Sequence, residues 1–299
     1  METLTMSTRV NEILTNNGLD FSIEKEPLMG LNNRITPYFG LFNSKTNECI
    51  NTCKEGYVVS QNREVVELIL RGIEPFGTDL RVTKAGALNG GRKVYLQLGI
   101  KGLSKVGNDV IERFVTVIDS NDGSTSLSIG IGDLTMSCQN QFFKFYAKGD
   151  AKFRHTATLT EKMREIPYLI ELALNESIRQ IAIYDKFVST PITRGLADSM
   201  VKYLLTYDRT LTSMEVLSSK STRSINIMDS LYSHIEKEIN DKGLSLWGLH
   251  SGVTSYTTHD LSIPKRDNAR VETLLNGSGY NMNQKSLAFA TKHLELAHN

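Results

Sequence analysis

The chain has 299 residues, of which 40% are hydrophobic and 22% charged, as is typical of a folded soluble protein rather than a disordered one. Its net charge of +1 excludes an overall field that draws it to nucleic acid or membranes, so any such preference must come from local segregation of charge. Three cysteines, no apolar run of about 18 residues and no signal-peptide pattern predict a cytoplasmic protein with no membrane partner.

The first 80 residues predict short elements. Apolar residues at helical spacing predict a helix around residues 10–14, stopped by Asn16-Asn17-Gly18, and a second helix over REVVELILRG (63–72). GLDFSIEKEPL (18–28) and GYVVS (56–60) are typical of strands.

A β-meander is predicted next. In KVYLQLGI (93–100), apolar residues alternate with Lys93, Tyr95, Gln97 and Gly99. A turn, the strand ERFVTVID, the turn SNDGS and the strand TSLSIGIG follow. Such strands have one apolar face and one polar, small-residue face, so we expect helices on the first and solvent or a ligand on the second.

From residue 158 the pattern is helical. Thr158 and Glu161 fit a capping box, and further helices are predicted from Ile166, near Thr193, over 222–240 and in the tail. The predicted fold class is α+β, an antiparallel β-meander sheet packed by a largely helical C-terminal half. We expect a mixed α+β region over 1–157 and a helical region over 158–299, or one single domain containing both.

Basic residues cluster in two runs. No acidic residue lies between Asp79 and Asp109, and the second run is opposed only by Asp150. Lysines and arginines neutralise phosphates, and an aromatic ring offers bases a stacking surface. The predicted nucleic-acid-binding residues are Lys84, Arg92, Lys93, Tyr95, Lys101, Lys105, Lys144, Lys148, Lys152 and Arg154. The alternative is that lysines at a strand edge prevent aggregation.

The spacing of four between Lys144, Lys148 and Lys152 would place them on one face of a helix. The basic, glycine-rich GALNGGRK does not match a phosphate-binding loop, so Gly90-Gly91 is predicted to form a tight turn. DSNDGS is predicted to be a hairpin turn rather than a calcium loop.

No catalytic residue, metal or cofactor is predicted. Cys49 and Cys53 lack a second zinc-ligand pair, and Cys138 could act as a nucleophile only if a histidine reached it. In LWGLHSGVTSYTTHDL (246–261), His250 and His259 are nine residues apart and therefore lie on opposite helix faces. Trp247, with Leu244, is expected to pack this helix against the apolar face of the sheet.

Several motifs together resemble a known family. They are AGALNGGRKVYLQL, DGSTSL, TMSCQNQF, FRHTATL and LWGLHSGVTSYTTH, and Cys138, Asn140, Trp247, Thr254, Tyr256 and His259 carry most of the specificity. The chain from about residue 50 onward resembles the phage/plasmid-like proteins known as domain of unknown function 932. The resemblance brings no established activity, but it implies a role in phage or plasmid DNA metabolism or in countering the host. Phage single-strand annealing proteins have a similar outline.

The first hypothesis is therefore a phage- or plasmid-encoded protein in the host cytoplasm that binds single-stranded DNA in recombination or replication, as a homo-oligomer. The alternatives are an enzyme that processes nucleic acid or nucleotides, or a non-enzymatic inhibitor of a host defence factor. An enzyme would place Asp119, Asp122, His155 or Cys138 in its site.

Overall fold

The structure of the protein, a computed structural model, describes residues 5–145, 152–205 and 222–298. Strands dominate the first half of the chain and helices the second, which confirms the α+β class. The helices are α1 (Met6–Asn16), α2 (Asn62–Ile73), α3 (Leu159–Lys162), α4 (Ile166–Ser189), α5 (Arg194–Leu205), α6 (Thr222–Lys242), α7 (Leu246–His259), α8 (Ala269–Asn276) and α9 (Ser278–His298). The strands are β1 (Ile23–Met29), β2 (Ile35–Asn43), β3 (Cys49–Lys54), β4 (Leu80–Leu88), β5 (Lys93–Ile100), β6 (Ser104–Val106), β7 (Asp109–Ser120), β8 (Leu127–Thr135), β9 (Gln141–Phe145) and β10 (Lys152–Phe153).

The strands form two antiparallel sheets. A small sheet has the order β1-β2-β3, and the main sheet has the order β10-β8-β7-β5-β4, with β6 paired to β7 and β9 paired to β8. The predicted meander is confirmed as β5, β7 and β8. The tight turn before β5 is also confirmed, because Gly90 and Gly91 have φ of +68° and +87° and a Cβ on Gly91 would come within 2.7 Å of the Asn43 amide.

The apolar face of the meander packs as predicted. Val94, Leu96 and Leu98 of β5 join one core with side chains of α1, α2, the small sheet and the first half of α4. A second core forms around the later half of α4 and helices α5, α6, α7 and α9, with Ile111 of β7 and Phe142 of β9. Helix α4 thus spans both cores.

The opposite face of the sheet is not left to solvent. Tyr95 of β5 and Phe114 of β7 are buried beneath Leu274 and Leu275 of α8, and Phe143 of β9 belongs to the same cluster. The expected open polar face is therefore wrong for this part of the sheet. The alternation of polar and apolar residues within a strand does not indicate that a C-terminal helix covers the second face of the sheet.

Four other expectations are wrong. GYVVS (56–60) is irregular, because its backbone is tied to neighbouring segments, as when Val58 N–H donates to the carbonyl of His155. Thr158 precedes α3 without a side-chain capping bond. Lys144 lies in β9 rather than in a helix, and Leu244 remains 42% exposed instead of packing beside Trp247.

Candidate functional site

The predicted nucleic-acid-binding residues are dispersed. Lys84, Lys101 and Lys105 are exposed on β4, at the end of β5 and on β6. Arg92 is exposed at the turn before β5, and Arg154 is exposed just after β10. Lys148 lies outside the described residues; Lys152 starts β10, and its side chain is not described.

Three of the predicted contact residues are already packed or paired within the protein. The Lys93 ammonium lies 2.6 Å from the Glu272 carboxylate of α8, with both side chains largely buried. Tyr95 is buried, and burial raises the pKa of its hydroxyl. Lys144 donates to Glu176 of α4 at 2.8 Å. Burial withdraws Lys93 and Tyr95 from the surface, whereas Lys144 is paired but remains 32% exposed, so its contact with nucleic acid stays a prediction.

The two basic runs do not merge into one groove. Lys84 lies on β4 and Arg154 follows β10, and these strands are the opposite ends of the strand order in the main sheet. Neighbouring strands are about 4.8 Å apart, so four steps separate the edges by roughly 20 Å. The two runs therefore lie at opposite edges of the main sheet.

A groove of about 350 Å³ lies where β4 begins and β5 ends. Arg81 and Thr83 of β4 line it together with Gly99 and Lys101, and Glu112 of β7 is the acidic residue of its lining. Lys101 also pairs with Asp79 at 2.9 Å, in a salt bridge whose partners are both about two-thirds exposed. An exposed pair of this kind holds its partners only weakly, so Lys101 can exchange Asp79 for another anion.

Cys138, Asn140 and His259 meet at the junction of the turn after β8 with the end of α7. His259 Nε2 lies 2.9 Å from the carbonyl oxygen of Cys138 and 3.1 Å from Asn140 Oδ1. The Asn140 amide in turn donates to Glu238 of α6 at 3.2 Å. Two residues of a surface turn are thereby fixed to two helices.

A buried ion pair lies close to this junction. Lys242 Nζ is 2.6 and 2.7 Å from the two carboxylate oxygens of Asp109, and Trp247 Nε1 donates to the same carboxylate at 2.8 Å. Glu238 Oε2 lies 3.5 Å from Lys242 Nζ, one helical turn away on α6. Trp247 is thus both a packing residue and a hydrogen-bond donor to the first residue of β7.

The comparisons with known proteins give one match. The family model described as "Domain of unknown function (DUF932)" matches residues 50–278, well over half of the chain. The chain belongs to this family. No curated protein and no solved structure matches it.

In this DUF932 protein the motifs that carry the resemblance converge in space. The CQN turn (138–140) and helix α7 (Leu246–His259) are far apart in the chain, yet His259 contacts both Cys138 and Asn140. Gly248 and Gly252 of α7 allow α6 to approach closely, since a Cβ on Gly252 would lie 2.4 Å from the Cα of Ile235. The sequence could not reveal that these motifs form one junction.

The junction does not form a reactive thiol. Burial raises the pKa of the Cys138 thiol, and the nearby carboxylates of Glu238 and Asp109 raise it further, against the opposing effects of Lys242 and the Asn140 N–H. A nucleophilic cysteine needs a lowered pKa. Both acceptors contacted by His259 Nε2 are oxygens, so that nitrogen carries the proton and is not a base for the thiol.

A second histidine cluster lies at the other end of β7. His155 Nε2 is 2.9 Å from Asp119 Oδ1, and its Nδ1 is 3.0 Å from the carbonyl oxygen of Val58. Ser60 Oγ also donates to Asp119, and Tyr57 stacks on the imidazole at 4.9 Å. Burial alone lowers the pKa of His155, but the hydrogen bond and charge of Asp119 and the Val58 carbonyl raise it overall.

This arrangement is a structural brace rather than a triad. Both ring nitrogens of His155 face acceptors, which favours the doubly protonated imidazolium, and the serine contacts the aspartate instead of the histidine. Asp122 is also engaged, because its Oδ1 accepts the N–H of Ser124 at 2.9 Å. That bond confirms the predicted Asx-type turn.

One acid–histidine–serine arrangement was not predicted. His234 Nδ1 lies 2.8 Å from Ser255 Oγ, and its Nε2 lies 3.8 Å from Asp260. The serine is buried inside α7, so no substrate can reach it. No local sequence pattern could have indicated the pair, because it forms only where α6 packs on α7.

None of the helices in the described parts of the chain combines the length and the apolar character needed to cross a membrane.

Proposed function

We propose that this DUF932 protein binds single-stranded nucleic acid without sequence preference, as single-strand annealing proteins do. The observation that supports this is the edge formed by β4, the end of β5 and β6, where Arg81, Lys84, Lys101 and Lys105 are all exposed. Lys101 forms an exposed salt bridge with Asp79, and the sequence between Asp79 and Asp109 contains no further acidic residue. Such an edge attracts a phosphate backbone.

The groove beside Arg81 gives this edge a concave surface. Gly99 and Lys101 line it, and the Thr83 side chain packs over Gly99, where a Cβ would come within 2.5 Å of its methyl group. Glu112 also lines the groove, and its negative charge disfavours a phosphate placed beside it. Phosphate contacts of this kind fix the path of a strand without reading its bases.

The test is a salt titration of binding to a thymidine oligonucleotide, measured by fluorescence anisotropy. For single strands the slope of log K against log salt is about −0.7 per neutralised phosphate. The double variant Lys84→Glu/Lys105→Glu should make that slope shallower by at least about 1.4. The matched control is Lys54→Glu/Lys265→Glu, two exposed lysines on β3 and in the loop before α8. An unchanged slope in the first variant contradicts the proposal.

We also propose that the working form is a homo-oligomer. Met29, Leu31 and Ile35 at the tip of the β1–β2 hairpin are 61%, 91% and 74% exposed. Large apolar side chains grouped on a surface favour association, here with a second copy of the chain. Light scattering after gel filtration should give a multiple of the 33.4 kDa chain mass, and Leu31→Lys/Ile35→Lys should reduce it to one chain.

A second candidate is an enzyme acting on nucleic acid or nucleotides. Its candidate residue Cys138 lies next to His259, but His259 Nε2 contacts the Cys138 carbonyl oxygen rather than the thiol. Against it stands the raised pKa of the Cys138 thiol. Turnover of labelled oligonucleotides that is abolished in Cys138→Ser, and preserved in Cys49→Ser, would support the enzyme instead.

A further inference from the structure

Helix α4 changes from one apolar core to the other along its length, and polar residues mark the change. Ala173 in its first half belongs to the core that contains α1 and α2, and Tyr184 in its later half belongs to the core of α5, α6, α7 and α9. Ser177 and Gln180 stand between them and are completely buried. A helix that joined two apolar cores directly would have an unbroken apolar stripe here.

The strands show the same change at the same boundary. On β7, Arg113 stands two residues after Ile111 of the second core and two residues before Val115 of the first. On β8, Asp133 pairs in register with Arg113 and follows Ile131 of the first core by two residues. Residues two apart share a face of a strand. The side chains of Arg113 and Asp133 therefore lie where the two cores meet.

Hydrogen bonds across this boundary join the strands to α4. Arg113 Nη1 donates to Ser177 Oγ at 3.5 Å, and Lys144 of β9 donates to Gln180 Oε1 at 3.3 Å. Both distances exceed the usual range of about 2.7–3.2 Å, so these bonds are weak. Five residues, which we call the polar layer, thus separate the two cores: Arg113, Asp133, Lys144, Ser177 and Gln180.

The polar layer is incompletely hydrogen-bonded. Three of its buried side-chain atoms, Arg113 Nε, Asp133 Oδ1 and Gln180 Nε2, have no hydrogen-bond partner among the described residues. Asp133 uses its other oxygen to accept the Tyr184 hydroxyl at 3.2 Å. A buried polar atom without a partner destabilises the closed structure, because it has lost its water without gaining a bond. Opening the layer returns water to all three atoms.

The second core is the weaker side of this layer. In the described part of the chain, buried atoms without a partner also include His250 Nε2 of α7 and Asn283 Nδ2 of α9, whereas none lies on α1, α2 or the first half of α4. The layer also reaches solvent, since the side chains of Lys144 and Glu176 are 32% and 22% exposed. Water therefore has a route to the layer when the second core opens.

We propose that the polar layer is the plane along which the second core opens, so that α6 and α7 separate from the sheet as one unit while the first core stays folded. Proteins open in contiguous cooperative units of this kind. The two helices move together because Gly248 and Gly252 of α7 let α6 pack closely against them. The helical half thereby changes position while the β4 edge keeps its own. The inference does not depend on nucleic-acid binding.

The experiment is amide hydrogen exchange of the full chain at low urea, measured by mass spectrometry. It compares α2, which belongs to the first core, with α6 and α7, which belong to the second. Protection of α6 and α7 should be at least about tenfold below that of α2. Equal protection in the three helices, lost together as urea rises, would show a single cooperative unit and overturn the proposal.

A variant with an apolar layer tests the cause. Arg113→Met/Asp133→Leu/Gln180→Leu replaces the unpartnered polar groups by apolar side chains, which removes their desolvation penalty. Protection of α6 and α7 should rise at least about tenfold, toward that of α2. The matched control is Lys93→Met/Glu272→Leu, which replaces a largely buried ion pair outside the layer and should leave the ratio of α6 to α2 protection unchanged. An equal change of that ratio in both variants contradicts the proposal.

If the triple variant does not fold, Gln180→Met provides the second test. Methionine keeps the length of the side chain and removes the unpartnered amide nitrogen, while Lys144 keeps Glu176 as its partner at 2.8 Å. Protection of α6 and α7 should rise roughly threefold to tenfold, with that of α2 unchanged. Protection of α6 and α7 that stays the same or falls would overturn the proposal.

Discussion

The two ends of strand β7 each carry a buried carboxylate, and the two are neutralised by different cations. Asp109, the first residue of β7, is held by Lys242 of α6 and by the indole of Trp247. Asp119, near the last residue, is held by His155 and the hydroxyl of Ser60. A lysine keeps its charge across physiological pH, whereas a histidine does not.

The two ends therefore contribute to stability with a different dependence on pH. Burial alone lowers the pKa of Lys242, but Asp109 outweighs it and raises the pKa above its ordinary value, so this end stays paired throughout the neutral range. His155 also has a raised pKa. Its contribution to stability is therefore complete below the ordinary histidine pKa and is lost as pH rises through the raised value in the folded protein. The stabilisation by the Lys242–Asp109 pair is therefore constant in the neutral range, whereas the stabilisation by the His155–Asp119 pair is lost at alkaline pH.

The largest effect is expected at the lysine end. Lys242→Met removes the cation and leaves Asp109 and Glu238 buried without it, which should lower the free energy of unfolding by roughly 3–5 kcal/mol at every pH from 6 to 9. Urea denaturation measures this loss. Adding Asp109→Asn should restore part of it, because the uncompensated charge is then gone. A loss below 1 kcal/mol for exposed Lys186→Met is the expected control.

A smaller, pH-dependent loss is expected at the histidine end. His155→Gln should lower the free energy of unfolding by about 2 kcal/mol at pH 6, where the imidazolium donates to Asp119 and Val58. The loss should shrink toward pH 9, because the wild-type histidine also becomes neutral there. The measurement is urea denaturation at four pH values, and a loss independent of pH would remove the contrast between the two ends.

The smallest effect concerns Asp133, a buried carboxyl that accepts a hydrogen bond from the Tyr184 hydroxyl. Burial raises the pKa of Asp133 on β8 to about 7, against the Tyr184 hydrogen bond and the charges of Arg113 and Lys144. An acid with a raised pKa costs stability as pH rises from its ordinary value to the raised one. The free energy of unfolding of Asp133→Asn, relative to that of the wild type, should therefore rise by less than about 1.4 kcal/mol from pH 6 to pH 7. A constant difference in thermal midpoint across that range would contradict the assignment.

Local sequence patterns predicted the helices and strands whose formation depends on burying one face of a single segment. The alternation in KVYLQLGI and the stripe after Ile166 gave a strand and a helix at the right places, because burying one face is a property of a short segment. β4 was not predicted, since its apolar pattern shifts at a bulge between Val82 and Lys84. The GYVVS strand was wrong because its apolar residues face a core without joining a ladder.

Candidate contacts were harder to predict than elements. Lys93 and Tyr95 have the residue types of a nucleic-acid surface, yet α8 covers both. Nothing near them in the chain indicates this, because Glu272 and Leu274 come from nearly 180 residues later. The contact between the Tyr203 and Phe289 rings had no signal either, since the two residues belong to different helices.

The sequence by itself determined the α+β class, the meander, most of the helices and the family motifs, all of which follow from periodicity and local residue types. The tertiary structure decided which charges remain exposed, which are buried in pairs, and that CQN and His259 form one junction. The physical reason is that burial and ion pairing depend on distances between segments far apart in the chain. Periodicity carries no information about those distances.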